Sequence, residues 1–202
     1  MATHALQVDE AHGLAVDDAL YQEVRGYRLL GFLLFLISDS ILFSSFIFSY
    51  LYDRSASPTW PPPGVERPDV YLIAVNSIVL FGSGVTMHLA MEAWKHAQRT
   101  RFVGFIIATI LLGCTFLSGQ IYEYAHLHDT WAGSTFGAFF FTLTGMHGFH
   151  VFIGVIFLIT VLIQALRGTY TTQRYMGLTA ATLYWHFVDV IWVALFFLFY
   201  VY

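Results

Sequence analysis

Residues 28–52 read RLLGFLLFLISDSILFSSFIFSYLY, and this stretch decides what kind of fold the chain can have. Between Arg28 and Tyr52 the one Asp, Glu, Lys, Arg or His inside the run is Asp39; nearly everything else is Leu, Ile, Phe or Ser. As an α-helix, a run of this length reaches across a hydrocarbon core about 30 Å thick, which needs about 20 residues. The run keeps no period-two alternation, so it does not read as a barrel strand. It predicts a transmembrane helix.

The rest of the chain repeats the pattern. Apolar segments follow at about 70–94, 102–124, 134–166 and 179–202, and the fourth exceeds what a perpendicular crossing needs, so it should tilt or project. Over all 202 residues, 57% are hydrophobic, 18% aromatic and 11% charged, with a mean hydropathy of +0.66. Soluble domains carry about 25% charged residues, and a water-soluble fold of this size has no core able to hide so much apolar surface. The prediction is an all-α polytopic membrane protein, a five-transmembrane-helix bundle over 28–202. The formal charge of −4 argues against nucleic-acid partners. With Cys114 the single cysteine, there is no internal disulfide or multi-cysteine metal site.

Residues 1–27 carry Asp9, Glu10, Asp17, Asp18 and Glu23 and no apolar core of a secretory signal. They are expected to form a cytoplasmic tail, either mobile or with a short amphipathic helix around Asp17–Arg25. The linker from Asp53 to Asp69 holds all five prolines and cannot be helical throughout. Of the nine Lys and Arg residues, Arg25, Arg28, Lys95, Arg99, Arg101, Arg167 and Arg174 fall on one side, and only Arg54 and Arg67 on the other. The positive-inside rule then puts the N-terminus in the cytoplasm and the C-terminus outside. Trp60, Trp131, Tyr200 and Tyr202 are expected in the outer interfacial belt.

Polar groups within the spans carry the functional signal, because a charge at the bilayer centre costs at least about 2.5–3.5 kcal/mol and so faces a partner. Asp39 lies near mid-membrane on the first helix, with Asn76, His88 and Glu92 on the second. Gln120 and Glu123 end the third, His147 and His150 sit in the middle of the fourth, and His186 and Asp189 lie on the fifth. The pairs Gln120/Glu123, His147/His150 and His186/Asp189 are each spaced three apart and share a helical face. Three readings stay open on residue chemistry: an interhelical hydrogen-bond network, haem or metal ligation by imidazole, and a proton relay through Asp39. Glycines 133, 137, 145, 148 and 154 are expected to let helices approach closely. Ser38, Ser40, Ser44, Ser45 and Ser49 should bond to carbonyls one turn back. Cys114 is expected to be a small apolar packing residue.

Four strings, in order, resemble a known family. They are Leu36-Ile-Ser-Asp39-Ser-Ile-Leu-Phe43; Gln120-Ile-Tyr-Glu123-Tyr124 followed by Gly133-Ser-Thr-Phe136; Thr144-Gly-Met-His147-Gly-Phe-His150-Val-Phe-Ile-Gly154; and Tyr184-Trp-His186-Phe-Val-Asp189-Val-Ile-Trp192. Together they resemble subunit III of the haem–copper respiratory oxidases, from about Arg28 to the C-terminus, in a bacterial five-helix form. The resemblance implies a non-catalytic subunit of a proton-pumping cytochrome c oxidase, with a quinol oxidase as the alternative, docked directly on subunit I with subunit II in the same complex. It implies no haem, copper or other metal in this chain, haem and copper in the partner subunits, and bound phospholipid. Haem ligation by these histidines thereby becomes the weakest reading. A stand-alone haem b cytochrome and a small proton-coupled carrier are the alternatives from other classes.

The implied roles are support of assembly and of proton delivery to subunit I, and retention of lipid. The intramembrane network expected on this view comprises Asp39, His147, His150, His186, Asp189 and Glu123, with His147 or His150 favoured as partners of Asp39. Lys95, Arg99, Arg101, Arg167 and Arg174 are candidates for lipid headgroups, each basic group near an anionic surface contributing about 1 kcal/mol. Two departures stand out: the two additional N-terminal helices of the seven-helix form are missing, and Asp39 stands where many mitochondrial-type members have Glu. Both point to a bacterial inner (plasma) membrane, with a thylakoid membrane as the other candidate.

Overall fold

The computed structural model describes residues 2–65, 70–127, 133–168 and 176–201, with side chains continuous from residue 26. Five helices follow one another: α1 Ala2–Ala56, α2 Val70–Lys95, α3 Arg99–His126, α4 Thr135–Leu166 and α5 Met176–Phe196. The last continues into a π-helical segment, Phe197–Val201. Among the described residues, five spans are long and apolar enough to cross a membrane, beginning with Gly26–Ala56 and ending with Met176–Val201. The five-helix expectation holds. The segment expected as a tail is helical from Ala2 and continuous with the first span. Trp131, Arg174 and Tyr202, named above for the belt and for lipid, lie outside the described residues.

The chain divides into two compact units, Met1–Asp39 and Ser40–Tyr202. In the first, Tyr27, Leu30, Leu34, Phe35 and Ile37 are exposed. The Ser38 hydroxyl donates to the Leu34 carbonyl at 3.0 Å, one turn back as expected.

The second unit holds the bundle. Lipid tails are as apolar as Leu, so helices associate there through close packing and interhelical hydrogen bonds. Close packing is visible at two glycines. A Cβ on Gly113 of α3 would lie 2.7 Å from the Trp185 ring, and one on Gly154 of α4 would lie 3.0 Å from it. Both helices thus form a slot for the Trp185 indole, which is 1% exposed. Gly148, by contrast, has open space where a Cβ would stand, so thinness is not needed there. Cys114 is exposed and packs no core, contrary to expectation, because the α3 turn that carries it turns its interior face through Gly113 and Phe116 instead.

Local chemistry closes the ends. After α2 the Gln98 amide bonds the Ala93 carbonyl at 2.9 Å and the Ala97 amide bonds Trp94 at 3.0 Å, with Ala97 at φ 56°. This is a Schellman closure with alanine in the left-handed position that usually takes glycine. Ser134 caps α4, its hydroxyl accepting from the Gly137 amide at 2.8 Å. Arg99, the first residue of α3, donates through Nη2 to the carbonyls of Ala165 at 2.6 Å and Leu166 at 2.9 Å. It adds a side-chain donor to the carbonyls of the last α4 turn, where Ala165 already accepts from the Gly168 amide at 3.1 Å.

Candidate functional site

The membrane-depth polar groups fall into three sets. The first joins the last turns of α3 to the π-helical segment. Glu123 is 4% exposed, and it accepts from Gln120 Nε2 at 2.6 Å and from the Tyr200 hydroxyl at 2.8 and 3.1 Å to its two oxygens. The spacing of three predicts the Gln120/Glu123 contact. Tyr200, expected in the interfacial belt from its position near a span end, faces inward: the final turn widens to π, Leu198, Phe199 and Tyr200 are all buried, and the phenol reaches Glu123. A carboxylate held by hydroxyl and amide donors has the charge-assisted bonds a buried acid requires. Beside it the Thr144 hydroxyl donates to the Phe140 carbonyl, so Tyr124 donates to Thr144 at 2.6 Å.

The second set is the centre of the bundle. His147 is 1% exposed, its ring stacked on Trp192 at 4.9 Å between centroids and edge-on to Phe116 at 5.9 Å. Neither ring nitrogen has a hydrogen-bond partner among the described residues. The Trp192 indole donates to Ser77 at 2.8 Å, and two turns away on α5 the Trp185 indole donates to Ser83 at 3.0 Å. Asn76 donates to the Phe116 carbonyl at 3.0 Å, in a gap left by Gly119, where a Cβ would lie 2.6 Å from the amide oxygen. His150 is less buried. Its Nδ1 lies 2.6 Å from the Met146 carbonyl and its ring meets Phe43 of α1 at 5.2 Å.

The third set lines a cavity of about 340 Å³ between α2 and α5, walled by Phe81, Gly84, Val85, His88, His186 and Asp189. His186 Nδ1 lies 3.7 Å from Asp189 Oδ2, with side chains 43% and 14% exposed. A Cβ on Gly84 would lie 2.5 Å from Asp189 Oδ2, so the missing side chain is what lets the carboxylate seat against α2.

The basic candidates have varied surroundings. Lys95 pairs with Glu92 at 2.6 Å, Arg101 reaches Gln98 at 3.0 Å, and Arg167 is exposed at the end of α4. Arg99 spends its guanidinium on α4 carbonyls, as described. Asp39 is half-buried on α1. Residue patterns alone do not disclose Tyr200, Ser77, Ser83 or the capping role of Arg99, since each joins partners 66 or more positions apart.

Among the described residues, no group of three or more His, Cys, Asp or Glu is placed to hold a metal ion. The class defined by five spans and hydrogen-bonded polar layers is a multi-pass helical membrane protein. A family model described as cytochrome c oxidase subunit III matches residues 12–202, reaching further toward the N-terminus than the Arg28 expected from the motifs. Proteins described as cytochrome c oxidase subunit 3 are similar to this chain. The one from Synechocystis sp. is 38% identical over 174 residues, covering 86% of this chain and 75% of that one. The one from Thermostichus vulcanus is 36% identical over 198 residues, covering 98% and 93%. The one from Petromyzon marinus is 37% identical over 173 residues, covering 82% and 66%. The chain belongs to the cytochrome c oxidase subunit III family. It is therefore a subunit of the oxidase complex whose catalysis resides in other subunits, and subunits of this family carry no redox centres.

Proposed function

We propose that this chain is the supporting subunit III of a cytochrome c-oxidising complex in a bacterial plasma membrane, N-terminus in the cytoplasm and C-terminus outside. It steadies subunit I, aids proton delivery to it and retains phospholipid. The observation that carries the reading is the match to the Thermostichus vulcanus protein over 98% of this chain and 93% of that one. The polar set Asp39, His147, His150, His186, Asp189 and Glu123 acts in packing and proton handling, not in redox ligation. The burial of His147, 1% exposed and packed between Phe116 and Trp192, supports a packing role for that residue. For lipid headgroups the exposed Arg101 and Arg167 are favoured, with the exposed Lys95 a further candidate. Arg99 serves chiefly to tie α3 to α4.

The test is Asp39→Ala and His150→Ala in the assembled oxidase. The haem spectrum should stay unchanged while sustained turnover or proton delivery falls. Loss of a haem band in proportion to lost activity, with the complex still assembled, would show that this chain carries redox chemistry and overturn the reading. Protease access to terminal tags in oriented vesicles checks the orientation; both tags on one side would refute it.

A further inference from the structure

We infer that the interface between α3 and α4 binds one internal water molecule, bonded to the buried imidazole of His147 and to the amide oxygen of Gln120. The site rests on the geometry of this chain alone and is independent of its place in the oxidase. Both side chains are buried, at 1% and 3% exposure. Among the described residues, neither ring nitrogen of His147 nor Oε1 of Gln120 has a hydrogen-bond partner, while Gln120 Nε2 is taken by Glu123 at 2.6 Å. Whichever tautomer His147 adopts, one ring nitrogen donates and the other accepts. Buried polar groups that lack a protein partner ordinarily bind ordered water.

Register brings the two side chains together. Tyr124 of α3 bonds Thr144 of α4 at 2.6 Å, and Phe116 of α3 meets the His147 ring at 5.9 Å between centroids. Gln120 lies one turn from both Phe116 and Tyr124 on that face of α3, and His147 lies three residues beyond Thr144 on the antiparallel α4. With about 1.5 Å of rise per residue, Gln120 sits about 6 Å from the level of Tyr124, and His147 about 4.5 Å from that of Thr144, in the same direction. They share a level. Facing Gln120 there, one turn past Thr144, is Gly148, and no side chain but those of its chain neighbours comes within 4 Å of where its Cβ would stand. The interface keeps room beside two polar groups.

Other occupants do not suit these groups. An acyl chain has no hydrogen bond to offer. A metal ion asks for a cluster of His, Cys, Asp or Glu that the described residues do not gather. Water donates to Gln120 Oε1 and keeps both a donor and a lone pair for the His147 nitrogen that faces it, so one molecule bridges the pair. It then extends a hydrogen-bonded column from the last turn of the chain to the centre of the bundle: Tyr200, Glu123, Gln120, water, His147.

The test is a structure of the wild-type assembled oxidase in lipid nanodiscs, by electron cryo-microscopy at a resolution that shows ordered water. A density peak about 2.7–3.2 Å from both Gln120 Oε1 and a His147 ring nitrogen is expected. A direct bond between the two side chains, another protein group on the ring, or a dry interface would overturn the inference. A second measurement compares Gln120→Leu, His147→Phe and the double variant of the full chain by SDS titration in mixed micelles, with helix content by circular dichroism as the folding check. Bridged side chains are coupled, so the unfolding constant of the double variant should fall several-fold short of the product of the two single effects. Effects that simply multiply would overturn the bridge.

Discussion

The two faces of α5 carry adjacent residues with opposite circumstances. Trp185, Val188 and Trp192 face inward and are at most 2% exposed, and both indoles donate to serines of α2. His186 and Val190 face outward, and Asp189 sits at the border with its Oδ1 buried and without a hydrogen-bond partner among the described residues. On the inner face, then, the chain supplies the partners that both indole donors need. On the outer face it brings a carboxylate and an imidazole together and leaves the imidazole open. A polar group in a membrane is completed either by its own fold or by a partner, and α5 shows both cases within one turn.

The largest effect should come from the inner face. Trp185→Ala empties the slot formed by Gly113 and Gly154 and strips Ser83 of its donor. Removing a buried Trp costs about 3–5 kcal/mol, and unfolding of the purified subunit by SDS titration in mixed micelles should register a loss of that order. A loss comparable to that of a surface substitution would mean that the slot is not a principal packing element and that the two faces differ less than their burial implies.

Tyr200→Phe should come next. It removes the hydroxyl that reaches both oxygens of Glu123 while keeping the ring against Phe140 and Phe196. Leaving a buried acceptor short of a donor costs about 1–3 kcal/mol, and the same titration reads it. If Tyr200→Phe alone is neutral, and adding Glu123→Gln to that variant changes nothing further, the cluster does not hold the C-terminal segment.

These two sites differ in how far the sequence discloses them. The spans are legible because lipid demands long apolar helices, so composition and length suffice for five of them. The spacing of three discloses Gln120/Glu123 and His186/Asp189, because contact along one helix follows from its period. Tyr200 is legible only as an aromatic near a span end, and the belt is where such residues ordinarily lie. What turns it inward is the widened π turn, which no local pattern announces. The Trp185 slot likewise needs two glycines, on α3 and α4, to face one ring on α5. Arg99 reads as one of seven basic residues on a side of the membrane until the end of α4 is brought to it.

The smallest effect should be at the outer face of the isolated chain, and its smallness is the informative part. Asp189→Asn keeps the shape seated against Gly84 and replaces the carboxyl group opposite His186, which lies 3.7 Å away and is 43% exposed. Exposed pairs contribute a median of about 0–1 kcal/mol, so the purified subunit should lose no more than about 1 kcal/mol relative to wild type. A loss as large as that from Tyr200→Phe would mean that the fold of this chain alone depends on the pair, and the contrast between the faces of α5 would collapse. If the isolated chain is indifferent while the assembled complex sheds the variant subunit more readily, the outer face acts in assembly.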